Sequence, residues 1–109
     1  MPQVNKVLGQ VIPAAATLTT LYTVPAATST IVSTLVVCNQ TAADAFFRIA
    51  IRPSGASIAT SQYIVYNASI AAYDSVFITV GITLLATDVV SVRSADGSVS
   101  FNLFGVEIT

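Results

Sequence analysis

The sequence predicts an all-β protein, an antiparallel β-sandwich of about seven strands. Three observations carry this. Val, Ile, Thr, Phe and Tyr dominate the apolar runs, as pleated surfaces favour. These runs are short, recur about every 8–14 residues and are separated by Pro, Gly, Asn and Asp signals. Apolar residues alternate with a period of two, and the helical period is nearly absent. Jelly-roll and immunoglobulin-like topologies both remain open at this level.

Residues 1–16 lack alternation. Pro2, Pro13 and Ala14 to Ala16 read as an extended N-terminal arm, with room for a short strand at Val7–Leu8, ahead of a sandwich domain over 17–109. The first strand is expected at Leu18–Val24, stopped by "PAATS". The second, Thr30–Cys38, has no charge on either face and reads as a central strand covered on both sides. The third, Phe46–Arg52, alternates most clearly: Phe47, Ile49 and Ile51 against Phe46, Arg48, Ala50 and Arg52. Pro53 and Gly55 then mark a loop.

The fourth strand is expected at Gln62–Tyr66. The fifth, Ser75–Val80, sets Val76, Ile78 and Val80 against Phe77, and Gly81 with "TLLAT" reads as a connection. The sixth is Val89–Arg93. Asp96-Gly97 is a hairpin signal, because both residues tolerate positive φ. The last strand, Val99–Ile108, starts with Val99, Phe101 and Leu103 inward; Gly105 suggests a bulge, after which Val106 and Ile108 take over. The expected core is Leu21, Ile31, Leu35, Val37, Phe47, Ile49, Ile51, Val65, Phe77, Val90, Val92, Phe101 and Leu103.

Composition narrows the function classes. The chain has 109 residues, 54% of them hydrophobic, and only 8% are charged, against about 25% in an ordinary soluble domain. A net charge of −1 argues against nucleic acid as a partner, which needs clustered Lys and Arg. Membrane is not expected as a partner either, since polar residues interrupt every apolar run well short of a spanning helix. "MPQVNKVLGQVIPAAATL" loosely mimics a signal peptide, but Gly9, Gln10 and Pro13 break its apolar region, and we expect no cleavage.

There is no histidine and one cysteine, so neither a Ser-His-Asp set nor a zinc site can be assembled. Cys38 reads as a small buried hydrophobe. Asp44, Asp74, Asp88 and Asp96 fall in expected turns, where Asp bonds its local backbone. We therefore expect no catalytic residues, no cofactor and no metal. Asn39-Gln40-Thr41 and Asn67-Ala68-Ser69 match glycosylation sequons, which mean little without a secretory signal.

Two groups remain as binding candidates. Arg48 and Arg52 share one strand face and read either as a solvated face, pairing with Asp74 or Glu107, or as an interface, where Arg is enriched. With them go Val7, Leu8, Val11 and Ile12 of the arm, suited to lie across a neighbour and add a strand. Tyr66, Asn67, Tyr73 and Asp74 cluster around one expected loop and are the only candidates for a glycan site, with rim packing as the plainer reading. The shortage of charge itself implies an exterior covered by copies of the chain or by a scaffold.

"LYTVPA", "VVCN", "RPSGA" and "FNLFGVEI" together resemble a group of small all-β structural proteins of tailed bacteriophages and prophages, over about Leu8 to Ile108. The resemblance implies a non-enzymatic virion component assembled in the host cytoplasm. It implies a homo-oligomer, trimer or higher, in contact with another virion protein such as the major capsid protein. Two positions are open: a capsid decoration or cement subunit, or a tail, collar, baseplate or fibre-base component. A carbohydrate-binding module of the host-recognition apparatus is a further alternative. The resemblance transfers no functional residue.

Overall fold

In a β-strand, successive side chains point to opposite faces, so a chain rich in alternating apolar residues must find a second apolar surface to cover one of them. The computed structural model describes residues 2–109, apart from the side chain of Val80. Among the described residues there are eight strands: β1 (Gln3–Val11), β2 (Thr19–Thr23), β3 (Ser29–Asn39), β4 (Ala45–Arg52), β5 (Tyr63–Ile70), β6 (Ser75–Leu84), β7 (Val89–Ser94) and β8 (Val99–Ile108). They form two four-stranded sheets, in the orders β1-β8-β3-β6 and β2-β7-β4-β5. All the pairings are antiparallel.

Strand order decides between the two topologies left open above. Only the β4–β5 connection stays within a sheet; every other one crosses from one sheet to the other. An immunoglobulin-like chain keeps several consecutive strands paired. Here the two sheets interleave along the sequence, which is the jelly roll.

The core lies between the sheets. Val37, Val99, Phe101 and Leu103 from the first sheet meet Phe47, Ile49, Val90 and Val92 from the second, all of them buried. The Phe47 and Phe101 rings meet edge to face, with centroids 6.1 Å apart, a favoured aromatic geometry.

The expected arm is not an arm. Residues 3–11 pair with β8 from Gln3–Ile108 to Val11–Phe101, so the sandwich begins at β1 and has eight strands rather than seven. Leu8 and Val11 pack against the core. The irregular pattern that suggested an arm is a bulge at Leu8, where the register shifts between Val7 and Gly9. A bulge reverses which face each later residue occupies. Gly9 is needed there, because a Cβ would run into the backbone of Leu21.

Two expected core residues face outward, Ile31 through a second bulge and Phe77 because Val76 and Ile78 take the inward face of its strand. Ile31 is exposed, because β3 bulges between Val32 and Thr34: Thr30 and Val32 point inward on one side of the bulge, Leu35, Val37 and Asn39 on the other. Phe77 is opposite Val36 on the outer face and is 69% exposed. The outer side of β3 is therefore not covered by a second layer, although β3 is central in its sheet. Half-buried Cys38 lies on that outer side.

Asp96-Gly97 makes no hairpin, since β7 and β8 belong to different sheets, and neither residue has positive φ. Strand β8 carries no bulge of its own: Gly105 and Glu107 keep the inward parity, and Val106 and Ile108 stay outward. β6 continues through Gly81 to Leu84 instead of ending at Val80.

The positive-φ positions are elsewhere. Ala16, Ala27, Tyr73 and Thr87 all adopt it, each in a tight turn that carries the chain between the sheets. Three of these turns close with backbone bonds: Thr17 N–H to Ala14 O, Asp74 N–H to Ala71 O and Asp88 N–H to Leu85 O.

Candidate functional site

Charge is distributed unevenly over the fold. The four cations are Lys6, Arg48, Arg52 and Arg93, and the three arginines all point outward from the second sheet. Parity places them there: Phe47, Ile49 and Ile51 face the core, so Arg48 and Arg52 face out, and Val90 and Val92 do the same for Arg93.

On the first sheet, register places Gln10, Asn102, Val36 and Phe77 in one outward row. Val7, Phe104, Thr34 and Thr79 form the next, and Asn5, Val106, Ile31 and Thr83 a third. None of these twelve side chains is ionisable. Val7, Ile31 and Phe77 are exposed.

Arg52 is held by its own chain. Its Nε donates to Ala56 O at 2.8 Å, Nη2 to Gly55 O at 3.2 Å and Nη1 to Ser91 Oγ at 3.3 Å. It pins the Pro53–Gln62 loop over the second sheet. Neither Arg48 nor Arg52 pairs with Asp74 or Glu107. Glu107 points inward and takes Lys6 at 3.0 Å.

Arg48 belongs to a different cluster. Its Nε donates to Asn67 Oδ1 at 2.7 Å, and its guanidinium lies 4.1 Å from the Tyr66 ring centroid and 5.8 Å from that of Tyr63. The Tyr63 and Tyr66 rings meet edge to face, 5.0 Å apart. Cation–π contacts of this kind contribute about 0.5–1 kcal/mol at exposed sites. Two irregularities in β5 assemble the cluster, between the pairs Phe47–Ala68 and Ile49–Val65 and between Ile49–Val65 and Ala50–Tyr63. Asn67 occupies the first with φ of 54°, a conformation Asn tolerates better than most residues. Phe46, Arg48, Asn67, Arg93 and Ala95 line a groove on this face.

The expected glycan set is therefore divided. Tyr66 and Asn67 join Arg48 on the sheet. Tyr73 and Asp74 form a turn at the end of the sandwich, where Asp74 Oδ1 accepts from Ser75 N–H at 2.8 Å and Asp74 O from Asn39 N–H at 2.9 Å. No hydrogen bond or ring contact joins the two pairs among the described residues. Of the arm candidates, Val7 and Ile12 are exposed, whereas Leu8 and Val11 serve the core.

Tyr63, Phe46 and Arg93 were missed as site residues. Parity alone puts Arg93 and Phe46 on the outer face. That Arg93 lies opposite Arg48 follows only from the order β7-β4, which no local pattern encodes.

The other sequence motifs have structural roles. Asn39, from the first sequon, is buried. Its Nδ2 donates to Ala43 O at 2.8 Å and to Ile70 O and Ala71 O at 3.2 Å, and its Oδ1 accepts from Thr41 N–H and Thr41 Oγ1. Asp88 ties three segments together through Ser54 N–H, Leu85 N–H and Val24 N–H. Among the described residues, no three His, Cys, Asp or Glu side chains converge as cation ligands, and no helix is long and apolar enough to cross a membrane. No protein-family model matches the chain, and no curated protein matches it.

Proposed function

We propose that the chain is a non-enzymatic structural subunit of a bacteriophage particle, a capsid decoration or cement protein. It acts through many-copy contacts with itself and with a second virion protein such as the major capsid protein. One observation carries this reading: the outer face of the β1-β8-β3-β6 sheet has no ionisable side chain in its three central rows and exposes Val7, Ile31 and Phe77. Exposed apolar surface of this kind, flanked by open edge strands, favours docking over solvation. The resemblance of "LYTVPA", "RPSGA" and "FNLFGVEI" to small phage structural proteins supplies the particle.

The test is sedimentation of the recombinant chain at micromolar concentration, alone and with capsids that lack it. Association is expected for the wild type. It should be lost in Phe77→Asp and Ile31→Asp at unchanged circular dichroism, since neither side chain is in the core. A wild-type chain that stays monomeric and ignores capsids overturns the reading. The protein's gel-band intensity against the major capsid protein then separates head from tail: hundreds of copies per particle for decoration, small multiples of three or six for a tail part.

A second reading, a tail or fibre-base component that recognises host saccharide, is favoured by the Arg48–Tyr66–Asn67 cluster. Exposed aromatic rings beside fixed hydrogen-bonding groups suit sugar binding, and Tyr66 is 56% exposed.

A further inference from the structure

Arg48 and Arg93 lie directly opposite each other on β4 and β7, and like charges so placed destabilise a sheet. Arg48 is compensated by Asn67 and by the Tyr66 ring. Half-buried Arg93 has no hydrogen-bond or ion-pair partner among the described residues. No carboxylate lines the groove they share. What remains to meet a ligand is a set of donors: the Arg93 guanidinium, the Arg48 N–H groups beyond Nε, and the Asn67 amide. Phe46, 49% exposed, adds an apolar wall.

Such a site selects an anion. A neutral sugar hydroxyl both donates and accepts, whereas a carboxylate is acceptor-only and matches a guanidinium in two parallel bonds. Two other carriers of negative charge fit it less well. β4 and β7 are interior strands, so an extended acidic peptide finds no free edge to pair with. Two cations on a chain of net charge −1 offer too few phosphate contacts for nucleic acid.

We propose that the groove between Phe46, Arg48, Asn67 and Arg93 binds a carboxylate-bearing sugar, its carboxylate held by the two arginines and its apolar ring face against Phe46. This names the ligand class of the saccharide reading above and rests on it.

The experiment is a two-dimensional NMR titration of the full chain with sodium glucuronate, glucose and inorganic phosphate at matched ionic strength. Glucuronate is expected to give saturable shifts at millimolar concentration on the Arg48 and Arg93 Nε–H and Asn67 amide signals. Glucose should give none, and phosphate weaker ones. Arg93→Thr should weaken glucuronate binding at least tenfold while raising the melting temperature, because it removes the like-charge pair. Equal shifts with glucose overturn the acidic-sugar assignment and leave saccharide recognition standing. Equal shifts with phosphate reduce the groove to a general anion site and overturn the proposal. Silence with all three removes both readings. A lower melting temperature for Arg93→Thr makes Arg93 a structural residue and also overturns it.

Discussion

The Tyr22 hydroxyl donates to Glu107 Oε2 at 2.5 Å, joining the two sheets between β2 and β8. Because Tyr22 has one proton to give, Thr30 Oγ1, 2.8 Å away and fully buried, donates to the phenol oxygen. Lys6 completes the chain on the other carboxylate oxygen. Three strands of the first sheet and one of the second are thus joined in one network around the Tyr22–Glu107 bond.

Tyr22→Phe is expected to destabilise the protein by about 2 kcal/mol, more than an average hydrogen bond. The change removes a charge-assisted bond and strands the buried Thr30 hydroxyl. Tyr22→Phe with Thr30→Val should recover part of the loss, since an apolar pair leaves nothing unsatisfied. Urea denaturation of the four members of this cycle measures it. Equal losses in the single and double variants would show that Thr30 finds another partner.

The same network makes stability depend on pH at both ends of the scale. Hydrogen bonds from Tyr22 and then Lys6 hold the Glu107 carboxyl below the usual carboxylate range. Its contribution is present above the unfolded-state value and is lost as pH falls through the lower folded-state value. Burial, reinforced by the bond to Glu107, pushes the Tyr22 phenol up to about 12. That contribution is full below the unfolded-state value of about 10 and disappears as pH rises toward 12. Urea midpoints should fall at both extremes. Glu107→Gln should flatten the acid limb, and Tyr22→Phe the alkaline one between pH 10 and 12.

Asn39→Ala should cost about 3 kcal/mol, although the position looks like a surface sequon. Its amide satisfies carbonyls from two connections, at Ala43 and at Ile70 and Ala71, and buried acceptors left alone cost about 1–3 kcal/mol. Amide hydrogen exchange should report the loss first at Thr41 and Tyr73, whose N–H groups depend on this end of the sandwich. Unchanged protection there would refute the assignment.

Thr87→Gly is expected to stabilise the protein by up to about 1 kcal/mol. Thr87 is β-branched and holds φ of 70°, a conformation that disfavours L-residues by roughly 1–2 kcal/mol and that glycine adopts freely. Its N–H bond to Val24 O survives the change. Gly9→Ala is the converse case: its Cβ would meet the Leu21 backbone, and the melting temperature should drop sharply.

Strand identity was readable wherever alternation ran unbroken. Phe47, Ile49 and Ile51 against Arg48 and Arg52 placed β4 and both its faces, and Val99, Phe101 and Leu103 did the same for the first half of β8. Reading failed at Phe77, an apolar side chain on the outward face of an unbroken alternation, and at bulges. One extra residue at Leu8 hid β1, and another at Ser33 sent Ile31 outward, because each inverts the parity on which the reading depends. For the site, Arg48, Tyr66 and Asn67 could be singled out, but their union could not. It takes the β5 irregularities to bring Tyr63 and Tyr66 beside Arg48.

The sequence by itself determined that this chain forms a sandwich of short antiparallel strands with little charge to show to water. Those properties follow from residue type and period-two spacing, which act over a few neighbours. Only the tertiary structure decided that the sandwich is a jelly roll, that the N-terminal segment is its edge strand, and that Arg48 faces Arg93. Strand order is chosen by how two sheets bury one shared core, a competition among contacts distant in sequence that leaves no mark on any single stretch.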